Sequence, residues 1–242
     1  MSALAVFLSA VGLADICRKL AGRQWAALVA GPVLVLAGAL LAGLWHFGDI
    51  VLLILAAVAA VLWVHLSAVA ERTGTREGRA LTVFGGTVAL LLVLAGWTSP
   101  VGGPVADWLH WVGLGDLGPD RAVMIFAVVL LQLVTANQLV RLILGAVGAV
   151  RPAGEPQPSD RLKGGRLLGP MERLLIVGLG LGGQIGAASA VVAAKGIIRF
   201  PELNAQRKEN NGAGIDEVTE YFLVGSFASW LIAMAGLVLA LN

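Results

Sequence analysis

Lys195 and Arg199 stand four residues apart in AAKGIIRFPEL, so on a helix both cations would present to one carboxylate or one anionic lipid headgroup. Glu172 and Arg173 close the run GRLLGPMER, and Glu220 and Tyr221 open EYFLVGS. Charges at the ends of apolar segments are costly unless they pair or face water. The cluster therefore reads as an ion or headgroup site, or as an interfacial anchor whose long side chains reach the water. A second polar group, Gln132, Thr135, Asn137, Gln138 and Arg141, crowds the end of another apolar stretch. Thr135 with Gln138, and Asn137 with Arg141, are neighbours on a helix surface. Lipid cannot satisfy such groups, so they must face other helices or a wet pathway. Gln184, deep in the following apolar segment, is expected to be their partner.

Familiar catalytic arrangements are not supported. Gly178-x-Gly180-x-x-Gly183 spells the dinucleotide fingerprint, but it lies in an apolar run with no acidic residue about 20 positions on. Packing glycines explain it better. His46, His65 and His110 are scattered, and Cys17 is alone, so no metal site is expected. Ser226 and Ser229 lack a nucleophile elbow and a nearby histidine, which leaves hydrogen bonding between helices. No cofactor is expected, and an enzyme is the least supported class.

The elements that must position these residues are membrane helices. The chain of 242 residues is 58% hydrophobic and 13% charged. Soluble domains carry about 25% charged residues, enough to coat a globule; this chain does not. Its apolar runs are continuous rather than alternating, which excludes a β-barrel. An all-α, polytopic helical membrane protein with six or seven transmembrane helices follows, with spans near 2–17, 25–45, 51–70, 80–98, 122–142, 171–197 and 218–241. Trp25, Trp45 and Trp97 fall at span edges, whereas Trp63 and Trp230 lie deeper, where their N–H groups need partners. The organisation expected is 1–150 with about five spans, a Pro/Gly-rich linker over 151–169, and 170–242 carrying the charged signature. The basic balance, with a pI of about 9.0, reflects loop arginines and implies no nucleic-acid partner.

Basic loops at 18–24, 71–79 and 151–173 alternate with loops poor in Lys and Arg, which places the basic ones in the cytoplasm. The loop after the sixth span breaks the alternation with Lys195, Arg199, Arg207 and Lys208. Either 171–197 is a re-entrant hairpin turning at Gly182-Gly183-Gln184, or it is one continuous glycine-rich helix. The row Gly178, Gly182, Gly186, Ala190 and Ala194 favours the continuous helix, because a four-residue repeat of small residues keeps to one face and admits a second backbone closely. That face would take a membrane partner or a second copy of the chain.

The motifs GRLLGPMER, AAKGIIRF and EYFLVGS together resemble the C-terminal membrane region of a bacterial family known as domain of unknown function 3307. The resemblance covers 165–226 and falls on Gly165, Arg166, Gly169, Glu172, Arg173, Lys195, Arg199, Phe200, Glu220, Tyr221 and Gly225. Gly196 stands where the family pattern has Ser, and Ser226 where it has Thr. The resemblance implies a multi-pass protein of the bacterial inner membrane and supplies no reaction. The function expected is transport or a channel-type role for a small or charged solute. The alternative is a non-catalytic scaffold or accessory subunit of an envelope complex.

Overall fold

The computed structural model describes residues 1–22, 24–150, 165–194, 196–197 and 215–242. Among them there is no strand. The helices are α1 (Ser2–Ala21), α2 (Gln24–Ala42), α3 (Phe47–Thr73), α4 (Glu77–Val93), α5 (Gly103–Trp111), α6 (Pro119–Ala146), α7 (Gly165–Leu181), α8 (Ile185–Ala194) and α9 (Ile215–Leu241). Four stretches are long and apolar enough to cross a membrane: α2, α3, α6 and Thr219–Leu241 within α9. Capping sets several ends beyond the hydropathy limits. α3 begins where Asp49 accepts the His46 backbone N–H at 3.1 Å, and α6 begins with Pro119 in its first turn, a position that needs no donor. α7 starts at Gly165, within the expected linker; 151–164 lie outside the described residues.

Outward faces of these helices carry bands of large apolar side chains. Val33, Leu36 and Leu40 on α2, Ile50, Ile54 and Val58 on α3, and Leu231, Met234 and Val238 on α9 are all exposed. Bands of that extent cannot stand in water and mark a lipid-facing surface. α1, the shortest expected span, is instead the hub. It packs against α2, α3 and α6, and its Leu4, Phe7, Leu8 and Val11 are buried. Small residues permit this: at Gly12 an added Cβ would lie 3.0 Å from Leu130 Cβ, so α1 and α6 cross in close contact.

The bundle has two distinct ends. At one, the Met1 amine donates to Thr98 Oγ1 (3.0 Å), Ser2 Oγ to the Ser99 carbonyl (2.6 Å), and Arg121 Nε to the Ala240 carbonyl (3.4 Å). At the other, basic end, Arg18, Glu71, Glu77 and Arg141 gather. α7 and α9 run parallel: Arg173 touches Ser229, and about two turns further along both helices Gly180 lies against Leu237. Leu181 and Ile215 therefore lie at opposite ends of the bundle.

α7 does not continue through the glycine row. It closes on Gly183 (φ +74°), with Gly183 N–H on the Gly180 carbonyl (3.1 Å) and Gln184 N–H on the Leu179 carbonyl (2.8 Å). This left-handed C-cap satisfies the last carbonyls and turns the chain, and α8 begins only at Ile185. The continuous helix expected over 171–197 is thus interrupted at 182–184, because two successive glycines allow the cap.

Candidate functional site: a polar column beside a π-turn

Three helices bring polar side chains into line inside the apolar bundle. α1 supplies Asp15 and Arg18, α3 supplies Trp63, Ser67 and Glu71 at four-residue spacing, and α6 supplies Thr135, Gln138 and Arg141 at three-residue spacing. Both spacings hold side chains on one helix face. Asp15 is fully buried, and its Oδ2 accepts from Trp63 Nε1 (3.2 Å) and Thr135 Oγ1 (2.9 Å). Arg18 Nη2 stands 3.4 Å from Asp15 Oδ1, which receives no hydrogen bond. The same guanidinium reaches Ser67 Oγ at 3.4 Å and Glu71 Oε2 at 3.9 Å, and Arg141 Nη1 lies 3.3 Å from Glu71 Oε1. Acid and base alternate from the buried interior to the basic end: Asp15, Arg18, Glu71, Arg141. The column opens there into a small recess lined by Glu71, Glu77, Gln138, Arg141, Gly145 and Val150. Gln138 is buried, and its Nε2 has no partner among the described residues.

The opposite side of α6 carries a buried cation. Over Leu131–Thr135 the helix widens to a π-turn, and Ala136 N–H bonds the Leu131 carbonyl rather than that of Gln132. The Gln132 carbonyl is thereby available to Arg173, accepting from Nε (3.3 Å) and Nη2 (2.9 Å). Arg173, 2% exposed, also donates to Ser229 Oγ (3.0 Å) and Asn137 Oδ1 (2.5 Å). Four charge-assisted bonds to neutral oxygens hold α7 and α9 on α6. Gly169 lies alongside, where an added Cβ would be in ordinary contact with Arg173 Nη1 (3.4 Å) and Asn137 Oδ1 (3.6 Å). Gln132 donates from Nε2 to the Ile232 carbonyl (3.1 Å), and Gly236 admits that amide. The π-turn is thus gripped by Asp15 on one side, through Thr135, and by Arg173 on the other. π-turns inside α-helices are frequent at functional sites.

Of the residues singled out in the sequence, Gln132, Asn137 and Arg173 meet at this node. Arg141 belongs to the column, through Glu71. Gln184 is exposed at the break after α7 and is no partner of Gln132; with α7 capped there, its side chain is carried out of the bundle. Glu172 is half-buried next to Arg173, Glu220 is exposed and Tyr221 half-buried near the start of α9. Lys195 and Arg199 lie outside the described residues. Within the chain the small-residue row packs against no other helix: nothing lies within 4 Å of a Cβ added at Gly178 or Gly186, and Ala190 and Ala194 are exposed. Packing instead uses Gly180, where a Cβ would collide with Leu237. Asp15 and Glu71 are absent from the sequence-derived set. The usable signals were the four-residue spacing of Trp63, Ser67 and Glu71 and the need of a deep Trp63 for an acceptor. His46 lies apart from the column, its Nδ1 2.7 Å from Ser99 Oγ, and no metal-binding cluster occurs among the described residues.

Comparison of the chain with protein-family models, with curated proteins and with solved structures gives no match.

Proposed function

We propose that this chain is a multi-pass protein of a bacterial inner membrane with a transport or channel-type role for a small or charged solute. The observation that carries the reading is the buried carboxylate of Asp15 and the buried guanidinium of Arg173 on the two sides of one π-turn. Ionisable groups at membrane depth are expensive and mark ion or substrate pathways. Here they join α1–α4 and the pair α7 with α9 through one irregular helix. Alternation of basic loops places the Arg18, Glu71 and Arg141 end in the cytoplasm. Six complete spans and a hairpin whose rising arm is α7 bring Met1 and Asn242 to the outer side. Lys195 and Arg199 are the candidates for an anionic headgroup.

Proteoliposomes loaded with labelled inorganic and small organic ions test the reading. Uptake above that of protein-free vesicles, reduced in Arg173→Leu, is the expected result; uptake equal to that of empty vesicles for the whole panel rejects it. A scaffold or accessory role is the second reading, favoured by the exposed Gly178, Gly186, Ala190 and Ala194. It predicts a co-purifying membrane partner that is lost on Gly178→Leu, and no flux by the protein alone.

A further inference from the structure

The polar column has one closed end, at Asp15, and one open end, at the recess. The geometry points to a proton relay in which Asp15 takes up a proton by way of Glu71 while Arg18 moves between the two carboxylates. The inference rests on the transport reading and names the proton as its coupling ion.

Asp15 Oδ2 already holds two donors, whereas Oδ1 holds none and is the oxygen free to bind a proton. A metal ion would require several oxygen ligands around the carboxylate. The groups that contact Asp15 are instead donors: the Trp63 N–H, the Thr135 hydroxyl and the Arg18 guanidinium. Arg18 stands between two carboxylates, 3.4 Å from Asp15 and 3.9 Å from Glu71, and cannot itself give up a proton. Arg141 also stands 3.3 Å from Glu71, so the column is balanced before it takes up a proton, and one added proton is shared between the two carboxylates. When a hydronium in the recess protonates Glu71 and leaves water, Arg18 pairs with Asp15. When Arg18 swings aside and a water drawn from the recess carries the proton to Asp15 Oδ1, Glu71 regains its charge and Arg18 pairs with it. The column keeps the same net charge in both states, so no bare charge is left in the apolar interior, where its cost would be several kcal/mol.

The open end suits proton entry. Glu71 is one-third exposed on the recess, and Gln138, which also lines it, is 7% exposed and holds a buried amide Nε2 without a partner among the described residues. A polar recess with an orphan donor is a site for water. The charged groups that bear on the relay are Arg18 and Lys19 of α1, Glu71 of α3, Glu77 of α4 and Arg141 of α6. α2 presents no titratable side chain among its residues.

The test uses the full chain in proteoliposomes that contain a pH-sensitive dye, with a potassium diffusion potential set by valinomycin. As the coupling ion, the proton leaves Asp15 on the outer side during the transport step, so wild-type vesicles should acidify faster than protein-free ones, and Asp15→Asn, which keeps an oxygen for Trp63 and Thr135, should fall to the protein-free rate. Asp15→Glu should recover part of the loss. Infrared difference spectra on acidification should show a carboxylic-acid carbonyl band that is missing in Asp15→Asn, and Glu71→Gln should slow proton entry. Denaturant unfolding of each variant confirms that it is folded. A band unchanged in Asp15→Asn, or equal proton entry in the variant and the wild type, overturns the relay. Wild-type vesicles that move a labelled ion but no protons also overturn it and leave the transport reading standing. Vesicles that move neither overturn both.

Discussion

Trp63 donates to a carboxylate that has no access to water, and the strength of that bond can be worked out. Trp63→Phe removes the Nε1 donor 3.2 Å from Asp15 Oδ2 while keeping an aromatic ring against Phe84, whose centroid lies 4.9 Å away. Two costs are combined in the single variant. Loss of the indole's second ring empties roughly 40 Å³, which at about 24 cal/mol per Å³ amounts to ~1 kcal/mol. The lost bond adds its own share. Hydrogen bonds between membrane helices average about 0.6 kcal/mol with a maximum near 1.7. A buried ionised acceptor belongs at the upper end of that range, because such bonds are roughly twice as strong as neutral ones. The single variant should therefore lose about 2 to 3 kcal/mol in reversible unfolding by sodium dodecyl sulfate, followed by circular dichroism. A double-mutant cycle with Asp15→Asn separates the terms, since the void is the same in both backgrounds. The neutral amide oxygen still accepts, so the coupling should be about half the bond, or roughly 0.5 to 1 kcal/mol. Strict additivity of the two substitutions, or a coupling of the opposite sign, would refute the placement of an ionised Asp15 under Trp63.

Other expectations concern the node, the glycines and the ends. Arg173→Leu removes four bonds and leaves the Gln132 carbonyl, Ser229 and Asn137 without their donor, so amide exchange in α7 and α9 should quicken while α1 stays protected. Equal loss of protection in α1 would show that Arg173 is not a local clasp. Gly180→Leu should destabilise by about 1–3 kcal/mol through overpacking against Leu237, whereas Gly178→Leu, with open space around it, should leave detergent unfolding unchanged. Equal effects from the two would contradict the observed helix faces. With Cys17 replaced by Ser, single cysteines at Gly102 and Asn242 should react with an impermeant thiol reagent on the same side of the membrane, and one at Arg76 on the other. Labelling of Asn242 together with Arg76 would contradict the contact that sets the end of α9 beside Arg121.

How much of this was legible in the sequence differs from element to element. Helical class and membrane solubility follow from composition, since continuous Leu, Val and Ala runs have no alternative that satisfies both backbone and surface. Gln132, Asn137 and Arg173 were legible as residues in need of partners, because polar groups in apolar surroundings carry that requirement with them. Their meeting was not, as Gln132 and Arg173 are 41 positions apart and the π-turn that opens the Gln132 carbonyl leaves no mark in hydropathy. The glycine row misled for a similar reason. A four-residue repeat is also what a helix followed by a glycine cap spells, and only the backbone at Gly183 separates the two.

The sequence by itself determined that the chain is a bundle of apolar helices with a basic end, because burial of the backbone and the sidedness of Lys and Arg are properties of single segments. Only the tertiary structure decided that α1 is the hub, that Asp15, Arg18, Glu71 and Arg141 form one column, and that α7 and α9 are parallel. Each of these depends on which faces of distant helices come within a few ångströms of one another, and such proximity is fixed by packing across the bundle rather than by any local pattern.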